Sequence, residues 1–235
     1  MNNSLVNTAR LMGAGLRALL VLTLVTGVVY PLVVTALAQG LFRDAANGSE
    51  IQAHGRVAGS ALIGQPYDLP LKKGQQTPEP DLRWFQGRPA DGLGVNSLNT
   101  RYRLLVSGAT NLAADSGAVG GECPAAPADG TLCAQVLAAR AAVVRDNSVP
   151  GHTVRPSDVP ADAVTSSGSG LDPDISPRYA ELQAPRVALR NGLPVARVEK
   201  LIEQHIEGRT LGFIGEPRVD VLRLNIALGD LTARR

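Results

Sequence analysis

The chain has 235 residues, of which 44% are hydrophobic and 19% are charged, and this composition excludes a disordered chain and a coiled coil. The formal net charge is +2, but all 21 acidic residues and 21 of the 23 basic residues follow Phe42, so the part after Phe42 is neutral. A neutral domain offers no basic surface for nucleic acid. The length suits one domain with an additional element, or two small domains.

The first predicted element is an apolar run, residues 18–42, with 25 consecutive uncharged residues. As a helix at about 1.5 Å per residue it spans roughly 38 Å, more than the roughly 30 Å of a bilayer core. Arg10 and Arg17 precede the run without any acidic residue, which places the amino end in the cytoplasm. We therefore predict a cytoplasmic tail (1–17), a transmembrane helix in the cell (inner) membrane (18–42) and an exported domain (43–235).

A cleaved signal peptide and a buried soluble helix are the alternatives for this run. Ala36, Leu37 and Ala38 give the small-residue order that signal peptidase prefers. The run is longer than the usual 7–15 apolar residues of a signal peptide and longer than a typical buried helix. Retention as a membrane anchor is the interpretation that we favour.

The apolar run also carries a stripe of small or polar residues at a spacing of four. The stripe consists of Thr23, Gly27, Pro31, Thr35 and Gln39. In lipid, small residues let helix backbones approach closely, and hydroxyl or amide groups bond across helices. The stripe predicts contact with a partner helix; a chance result of composition is the alternative.

The exported part contains no internal repeat and no clear linker. Residues 55–64 alternate loosely and predict a strand, and residues 132–147 predict a helix with Val136, Ala139 and Val143 at helical spacing. Ser176 followed by Pro177 predicts a helix start, and Asn191 with Gly192 predicts its end.

A second helix is predicted from Pro194 to about Gly208, with apolar residues on one face. Residues 218–228 predict a strand, with a change of apolar phase near Val221 that suggests burial on both faces or a bulge. Helices and strands are mixed without regular alternation, so the predicted fold class is α+β.

The two cysteines, Cys123 and Cys133, lie in the part that we expect to be exported. The residues around them are rich in Gly and Pro and can fold back. Two thiolates without nearby His or Cys make a poor metal site. A disulfide in an oxidising compartment is the simpler interpretation.

Residues 165–177, "TSSGSGLDPDISP", look most like a functional segment. They lack the spacing of a phosphate-binding loop and the further ligands of a calcium loop, so no metal site is predicted. The glycines, the Asp172-Pro173 step and the capping Ser176 favour a rigid corner that leads into a helix. Such a corner can still be a docking surface, and its candidate partner-binding residues are Ser167, Gly168, Ser169, Gly170 and Asp172.

Enzymatic function has little support. Ser166, Ser167 and Ser169 lie close to glycines, but none sits in a G-x-S-x-G elbow, and the only histidines are His54, His152 and His205. We therefore predict no catalytic residue. A membrane-anchored periplasmic hydrolase that uses Ser169 is the alternative from another class.

Six motifs occur in one order along nearly the whole chain. They are "TGVVYPLVVTALAQGLF" (26–42), "GSALIGQPY" (59–67), "RWFQGRPA" (83–90), "SGATNLA" (107–113), "TSSGSGLDPDISP" (165–177) and "LGFIGEPRVDVLRLNIAL" (211–228). Together they resemble the C subunits of Kdp-type potassium-transporting ATPases. After the fourth motif the family usually continues with a short Pro-Thr-Asn segment, whereas the cysteine-bearing loop intervenes here, so the local fold of residues 114–134 stays open.

The resemblance implies a non-catalytic subunit of a high-affinity potassium uptake pump. In that family a channel-like subunit binds potassium, a P-type subunit hydrolyses ATP, and a small single-helix subunit completes the complex. The C subunit is regarded as an assembly factor and as a catalytic chaperone that raises the ATP affinity of the ATPase subunit. The resemblance thus implies that partner chains handle ATP and potassium and that this chain binds no cofactor of its own.

Overall fold

The computed structural model describes residues 2–75, 78–89, 116–119 and 122–233. It consists of two compact units, Met1–Glu50 and Ile51–Arg235. The first unit is helical and the second mixes helices with short strands, as the predicted α+β class requires.

The first unit contains helix α1 (Asn2–Leu24), a π-helical turn (Val25–Val29), helix α2 (Tyr30–Leu41) and the short helix α3 (Arg43–Ala46). Val6–Leu41 is long and apolar enough to cross a membrane, and no part of its most apolar window is buried in the protein. The predicted apolar helix is therefore present. It is longer than predicted, because the helix already begins within the predicted tail.

The π-helical turn lies directly before Pro31. Proline has no backbone N–H, so the carbonyl of Gly27 loses its ordinary helical donor. The chain responds by lengthening one turn, and the N–H of Tyr30 donates to the carbonyl of Val25, five residues earlier. The local irregularity at Pro31 thus takes the form of a π turn.

The second unit begins with a hairpin of strands β1 (Glu50–Ala53) and β2 (Arg56–Ser60). His54 and Gly55 connect them, both with positive φ, as two-residue hairpin turns require. The predicted strand over 55–64 is therefore confirmed in its first half. Helix α4 (Leu132–Asn147) has the predicted bounds.

The remaining elements form a helical layer with a small sheet. They are strand β3 (Asp174–Ile175), helix α5 (Pro177–Asn191), helix α6 (Val195–His205), strand β4 (Ile206–Glu207), strand β5 (Arg218–Asp220) and helix α7 (Val221–Ala233). The sheet is antiparallel in the order β3-β5-β4, and Val219 of β5 lies opposite Ile175 and Ile206.

Both predicted ends of helix α5 are confirmed. The Ser176 hydroxyl accepts a hydrogen bond from the Tyr179 N–H at 3.1 Å, and Pro177 occupies the first turn. Gly192 ends the helix in the left-handed conformation with φ of 61°. Pro194 precedes helix α6 as predicted, but this helix ends at His205 because Ile206 joins strand β4.

The predicted strand over 218–228 is confirmed only for Arg218–Asp220 and is wrong for the rest, which is helical. Strand β5 ends at Asp220, where the carboxylate accepts a hydrogen bond from the Arg223 N–H at 2.9 Å and so caps helix α7. Within α7 the buried residues Val221, Leu224 and Leu228 recur every three or four positions, which is helical periodicity. The apparent change of phase near Val221 marks the point where strand becomes helix.

The core of the second unit lies around helix α5. Ala180, Ala184 and Val187 are completely buried, and Val198 and Ile202 of α6 pack against them. Val219 of β5 and Leu224 and Leu228 of α7 close this core. The small alanines of α5 allow close approach of the neighbouring elements.

Residues 82–88 form an irregular segment that two side-chain amides hold in place. Gln183 of α5 accepts from the Gln86 N–H at 2.7 Å and donates to its carbonyl at 3.1 Å. Asn225 of α7 does the same for Phe85, at 2.9 Å for both bonds. These paired bonds satisfy the buried backbone as a neighbouring strand does.

Arg186 of helix α5 is buried in the centre of this arrangement. Its guanidinium donates to the Asn147 side chain at 2.8 Å, to the Gln183 side chain at 2.6 Å and to the carbonyls of Leu82 and Trp84. Burial lowers the pKa of Arg186 to about 10, which still leaves the side chain protonated at neutral pH. A buried cation is thus stabilised by four uncharged acceptors from three parts of the chain.

We expect Arg186→Ala to lower the free energy of unfolding by about 3–5 kcal/mol, because it leaves several buried acceptors without a donor. Urea unfolding of the full chain in detergent measures this change. The matched control is Arg190→Ala on the same helix, where the side chain is exposed. It should change stability by no more than about 0.5 kcal/mol, and equal effects of the two substitutions would contradict this account of Arg186.

Candidate functional site

Residues 165–177, the serine–glycine loop, use their polar side chains to hold their own backbone. The Ser169 hydroxyl accepts from the Leu171 N–H at 3.1 Å, and the Ser167 hydroxyl accepts from the Asp172 N–H at 3.3 Å. Asp172 in turn accepts from the Asp174 N–H at 3.0 Å. The loop is therefore the rigid corner that its sequence predicted.

The end of the loop is fixed to a preceding 3-10 turn, Ala161–Ala163. The Asp162 carboxylate accepts from the Ser176 N–H at 2.7 Å and from the Ser176 hydroxyl at 3.0 Å. Ser176 also caps helix α5 through its hydroxyl oxygen. One serine thus connects the turn, the loop and the helix.

Arg88 clamps the serine–glycine loop from outside. Its guanidinium pairs with the Asp172 carboxylate at 2.9 Å and donates to the carbonyls of Thr165 at 3.3 Å and Ser166 at 3.4 Å. Sequence reasoning did not assign a role to Arg88, although it lies in one of the six motifs. The contact spans 84 residues of sequence, so no local spacing could have revealed it.

Gly64 allows a second segment to lie directly against the loop. Its N–H donates to the Leu171 carbonyl at 2.8 Å. A Cβ atom at this position would lie 2.6 Å from the Asp172 carbonyl oxygen. The "GSALIGQPY" motif therefore meets the loop backbone to backbone, which only glycine permits.

The five candidate loop residues differ in accessibility. Gly168 and Ser169 are exposed, whereas Ser167 and Gly170 are buried and Asp172 is half-buried in its contact with Arg88. The exposed part of the corner is thus limited to two residues.

Two of the three histidines, His54 and His205, make their side-chain contacts away from the loop serines. His54 Nε2 lies 2.8 Å from an Asp230 carboxylate oxygen, and His205 Nδ1 lies 2.8 Å from the Leu201 carbonyl oxygen. Ser169 Oγ lies 3.4 Å from Ser167 Oγ. Within the described ranges, no group of three or more His, Cys, Asp or Glu is placed to hold a metal ion.

Two carboxylates face each other where the loop enters the sheet. Asp174 of β3 lies directly opposite Asp220 of β5 in the strand register. Arg218 pairs with Asp174 at 3.0 Å and with Glu207 at 2.9 Å, and so neutralises part of the negative charge. Burial nevertheless raises the pKa of Asp174 to about 6, with the neighbouring carboxylates adding to the effect, and burial also raises the pKa of Asp220.

The stripe residues of the apolar helix span the π turn. In an α-helix a step of four residues advances about 40° beyond a full turn, so five positions would drift by about 160°. The π turn, Val25–Val29, accommodates one additional residue and removes about 100° of rotation between Thr23 and Pro31. Thr23, Gly27, Pro31, Thr35 and Gln39 therefore fall within about 80° of the helix surface rather than spiralling around it.

The last residue of the stripe makes a hydrogen bond outside the apolar helix. Gln39 donates to the Asn47 side chain at 3.0 Å. At Gly27 an added Cβ would find its nearest neighbour, Thr23 Cγ2, 4.0 Å away. The chain itself thus leaves room for a larger side chain at Gly27.

Cys123 and Cys133 are joined by a disulfide, with Cα atoms 5.4 Å apart. Cys133 is buried in the first turn of helix α4, where its N–H donates to the Ser116 carbonyl at 3.0 Å. The disulfide ties the cysteine-bearing loop to the start of that helix. The "SGATNLA" motif and Ala90 lie outside the described residues.

We expect Gly64→Ala to destabilise the domain by about 1–3 kcal/mol, because the added methyl group would overlap the Asp172 backbone. Thermal unfolding of the full chain measures the loss. Gly168→Ala is the control, since a Cβ there meets no atom within 4 Å and the residue is exposed. Loss of stability in both variants would show that the close approach at Gly64 is not the cause.

The raised pKa of Asp174 predicts a pH dependence of stability. The carboxyl of Asp174 holds its proton more tightly in the folded state than in the unfolded state. Its contribution to the free energy of unfolding is therefore fully present below pH about 4 and is lost as the pH rises through about 6. Asp174→Asn should therefore flatten the decrease in unfolding free energy between these values. Glu199→Gln, at an exposed position of helix α6, should leave the slope unchanged. The measurement is the free energy of unfolding at several pH values across this range. The prediction would be refuted if this free energy decreased equally steeply with pH for wild type and Asp174→Asn.

The chain matches known proteins over most of its length. The model of a family described as "K+-transporting ATPase, c chain" (KdpC) matches residues 12–230. A potassium-transporting ATPase KdpC subunit of Streptomyces coelicolor is 68% identical over 233 residues, covering 99% of this chain and 98% of the relative. The KdpC subunits of Gemmatimonas aurantiaca and Mycobacterium tuberculosis are 43% and 40% identical, covering 93% and 92% of this chain and 94% and 96% of those relatives. The chain therefore belongs to the KdpC family, the C chains of potassium-transporting ATPases.

Proposed function

We propose that this chain is a non-catalytic, single-pass membrane subunit that an ATP-driven potassium uptake pump needs for assembly and stability. The observation that carries the proposal is the combination of an exposed apolar helix, Val6–Leu41, with a domain whose polar loop is bonded internally. ATP hydrolysis and potassium binding then belong to partner chains. Membership of the family supports this assignment.

The geometry of the serine–glycine loop supports a non-catalytic role. A nucleophilic serine needs a base within hydrogen-bonding reach and a third group that orients the base. The described contacts of this loop shape its backbone: the Ser169 hydroxyl accepts a backbone N–H, and Arg88 pairs with Asp172. We therefore do not propose a periplasmic hydrolase activity for this chain.

We propose an orientation with the amino end in the cytoplasm and the second unit outside, at the cell (inner) membrane. Arg10 and Arg17 precede the uncharged run 18–42, and the first acidic residue, Asp44, follows it. The exported domain is then separated from cytoplasmic ATP. Any effect of this subunit on the ATP affinity of the pump, the chaperone role that the family resemblance implies, must pass through partners in the membrane.

The partners in this proposal are a channel-like potassium-binding subunit, an ATP-hydrolysing P-type subunit and a small single-helix subunit. We place one contact on the stripe of the apolar helix. The π turn makes the stripe a narrow face, which suits a single crossing helix. On the serine–glycine loop the accessible contact residues are Gly168 and Ser169.

Gly27→Leu should weaken association with the pump. The substitution finds room within its own helix but inserts a side chain where a partner backbone would approach. Overpacking of about 1–3 kcal/mol weakens a contact by roughly 5- to 150-fold. The measurement is the amount of pump, detected as potassium-stimulated ATP hydrolysis, that co-purifies with the tagged chain from native membranes.

Val28→Leu is the matched control, since it lies one position further round the same helix and is also exposed to the outside. Both variants should insert into the membrane normally, because leucine is at least as apolar as the residues it replaces. Equal recovery of the pump with both variants would refute the contact at the stripe. Failure of the unmodified chain to bring down any potassium-stimulated ATPase would refute the proposed function itself.

A further inference from the structure

The connection between strands β4 and β5 displays three large apolar side chains in solvent. We call residues 209–216 the apolar tip. Leu211 is 79% exposed, Phe213 is 72% exposed and Ile214 is 51% exposed. None of the three belongs to the hydrophobic core of the second unit. These side chains do not fill the core of their own domain, so packing within the domain does not explain why they are apolar.

The backbone holds the apolar tip in one shape. Thr210 and Ile214 exchange two hydrogen bonds of 2.9 Å, and Arg209 pairs with Glu216 at 2.9 Å below them. Leu211 adopts a φ of 54°, which is uncommon for a residue with a side chain. The tip thus keeps apolar groups exposed in a constrained conformation, and both features cost free energy unless a partner uses them.

Three kinds of partner differ in what they require. An aromatic and two aliphatic side chains offer on the order of 400 Å² at most, well below the roughly 800 Å² per partner of a stable dimer, so a second copy of this chain is disfavoured. An anionic lipid surface attracts an excess of Lys and Arg. The tip has no such excess, because its single arginine is paired with its single glutamate.

A shaped protein surface fits the tip better than a fluid one. Interfaces place an apolar centre, often aromatic, inside a polar rim, and the tip combines the exposed Phe213 with the paired Arg209 and Glu216. A preformed tip also loses little conformational entropy when it docks. A small contact suffices when a membrane helix already holds the two partners together, since tethering raises the effective concentration.

We propose that the apolar tip seats in an apolar pocket of a neighbouring protein subunit of the potassium-transporting ATPase. The inference rests on the proposed function of this chain as a pump subunit. It assigns the anchor of the second unit to Leu211, Phe213 and Ile214, a surface distinct from the helix stripe and from the serine–glycine loop.

Photocrosslinking in intact membranes tests the proposal. The photoreactive amino acid benzoylphenylalanine replaces Phe213 in the full chain, produced together with the rest of the pump, and mass spectrometry identifies the products. The control places the same probe at Leu189, which is exposed on helix α5. We expect a light-dependent product between position 213 and another subunit of the pump, at a yield at least tenfold above that from position 189.

Products with lipid alone, products with a second copy of this chain, or a yield no higher than that of the control would each overturn the proposal. An independent variant, Phe213→Ser, should reduce the amount of pump retained through detergent washing by about tenfold. Its melting temperature should not change, because the side chain is mostly exposed, and Leu189→Ser should be silent in both measurements.

The failure of this inference is distinguishable from the failure of the proposed function. If the unmodified chain co-purifies with potassium-stimulated ATPase activity while position 213 gives no product with a subunit, the subunit role stands and the apolar tip is rejected. If the unmodified chain recovers no such activity, the proposed function fails and the inference fails with it.

Discussion

The second unit depends on satisfying one buried cation. Arg186 needs acceptors because an unpaired guanidinium in an apolar interior would be strongly destabilising. The acceptors come from the end of helix α4, from helix α5 itself and from two carbonyls of the segment 82–88. Bringing these acceptors to one point fixes the positions of all three parts. The neighbouring alanines of α5 then allow the apolar core to close around them.

The segment 82–88 connects the core to the serine–glycine loop at the surface. Its backbone is held from below by Gln183 and Asn225, which belong to helices α5 and α7. Arg88, the last residue of this segment, reaches the serine–glycine loop and pairs with Asp172. The loop is therefore rigid for two reasons, since it is bonded within itself and clamped to a segment that the core holds. Polar residues that resemble a catalytic loop in the sequence serve here to define a corner.

The membrane helix shows how a local irregularity can organise a surface. Pro31 removes one helical hydrogen bond, and the π turn that accommodates it rotates the following residues back toward the preceding ones. Residues spaced by four then share a face. Family membership supplies the context, because the relatives are named as subunits of potassium-transporting ATPases, and a subunit needs surfaces for its neighbours. The helix stripe and the apolar tip are the two surfaces whose composition is hardest to explain by folding alone.

The sequence by itself determined the features that arise from local hydrogen bonding and from composition. The apolar helix, helix α4, both ends of helix α5 and the start of helix α6 follow from residues a few positions apart, and all four were predicted. The ordered motifs likewise identified the family. Over 218–228, however, the sequence fits both an alternating and a helical pattern. The structure is helical after Asp220, because that residue caps helix α7 and the apolar face of α7 is buried against the core.

Only the tertiary structure decided the roles of Arg88, Gln183, Arg186 and Asn225. Their partners lie between 39 and 140 residues away in sequence, except for the contact within helix α5, so no spacing or propensity encodes them. A long polar side chain is compatible with an exposed position in most sequences. It becomes a structural centre only where folding removes water from it and leaves the protein as its sole source of hydrogen bonds.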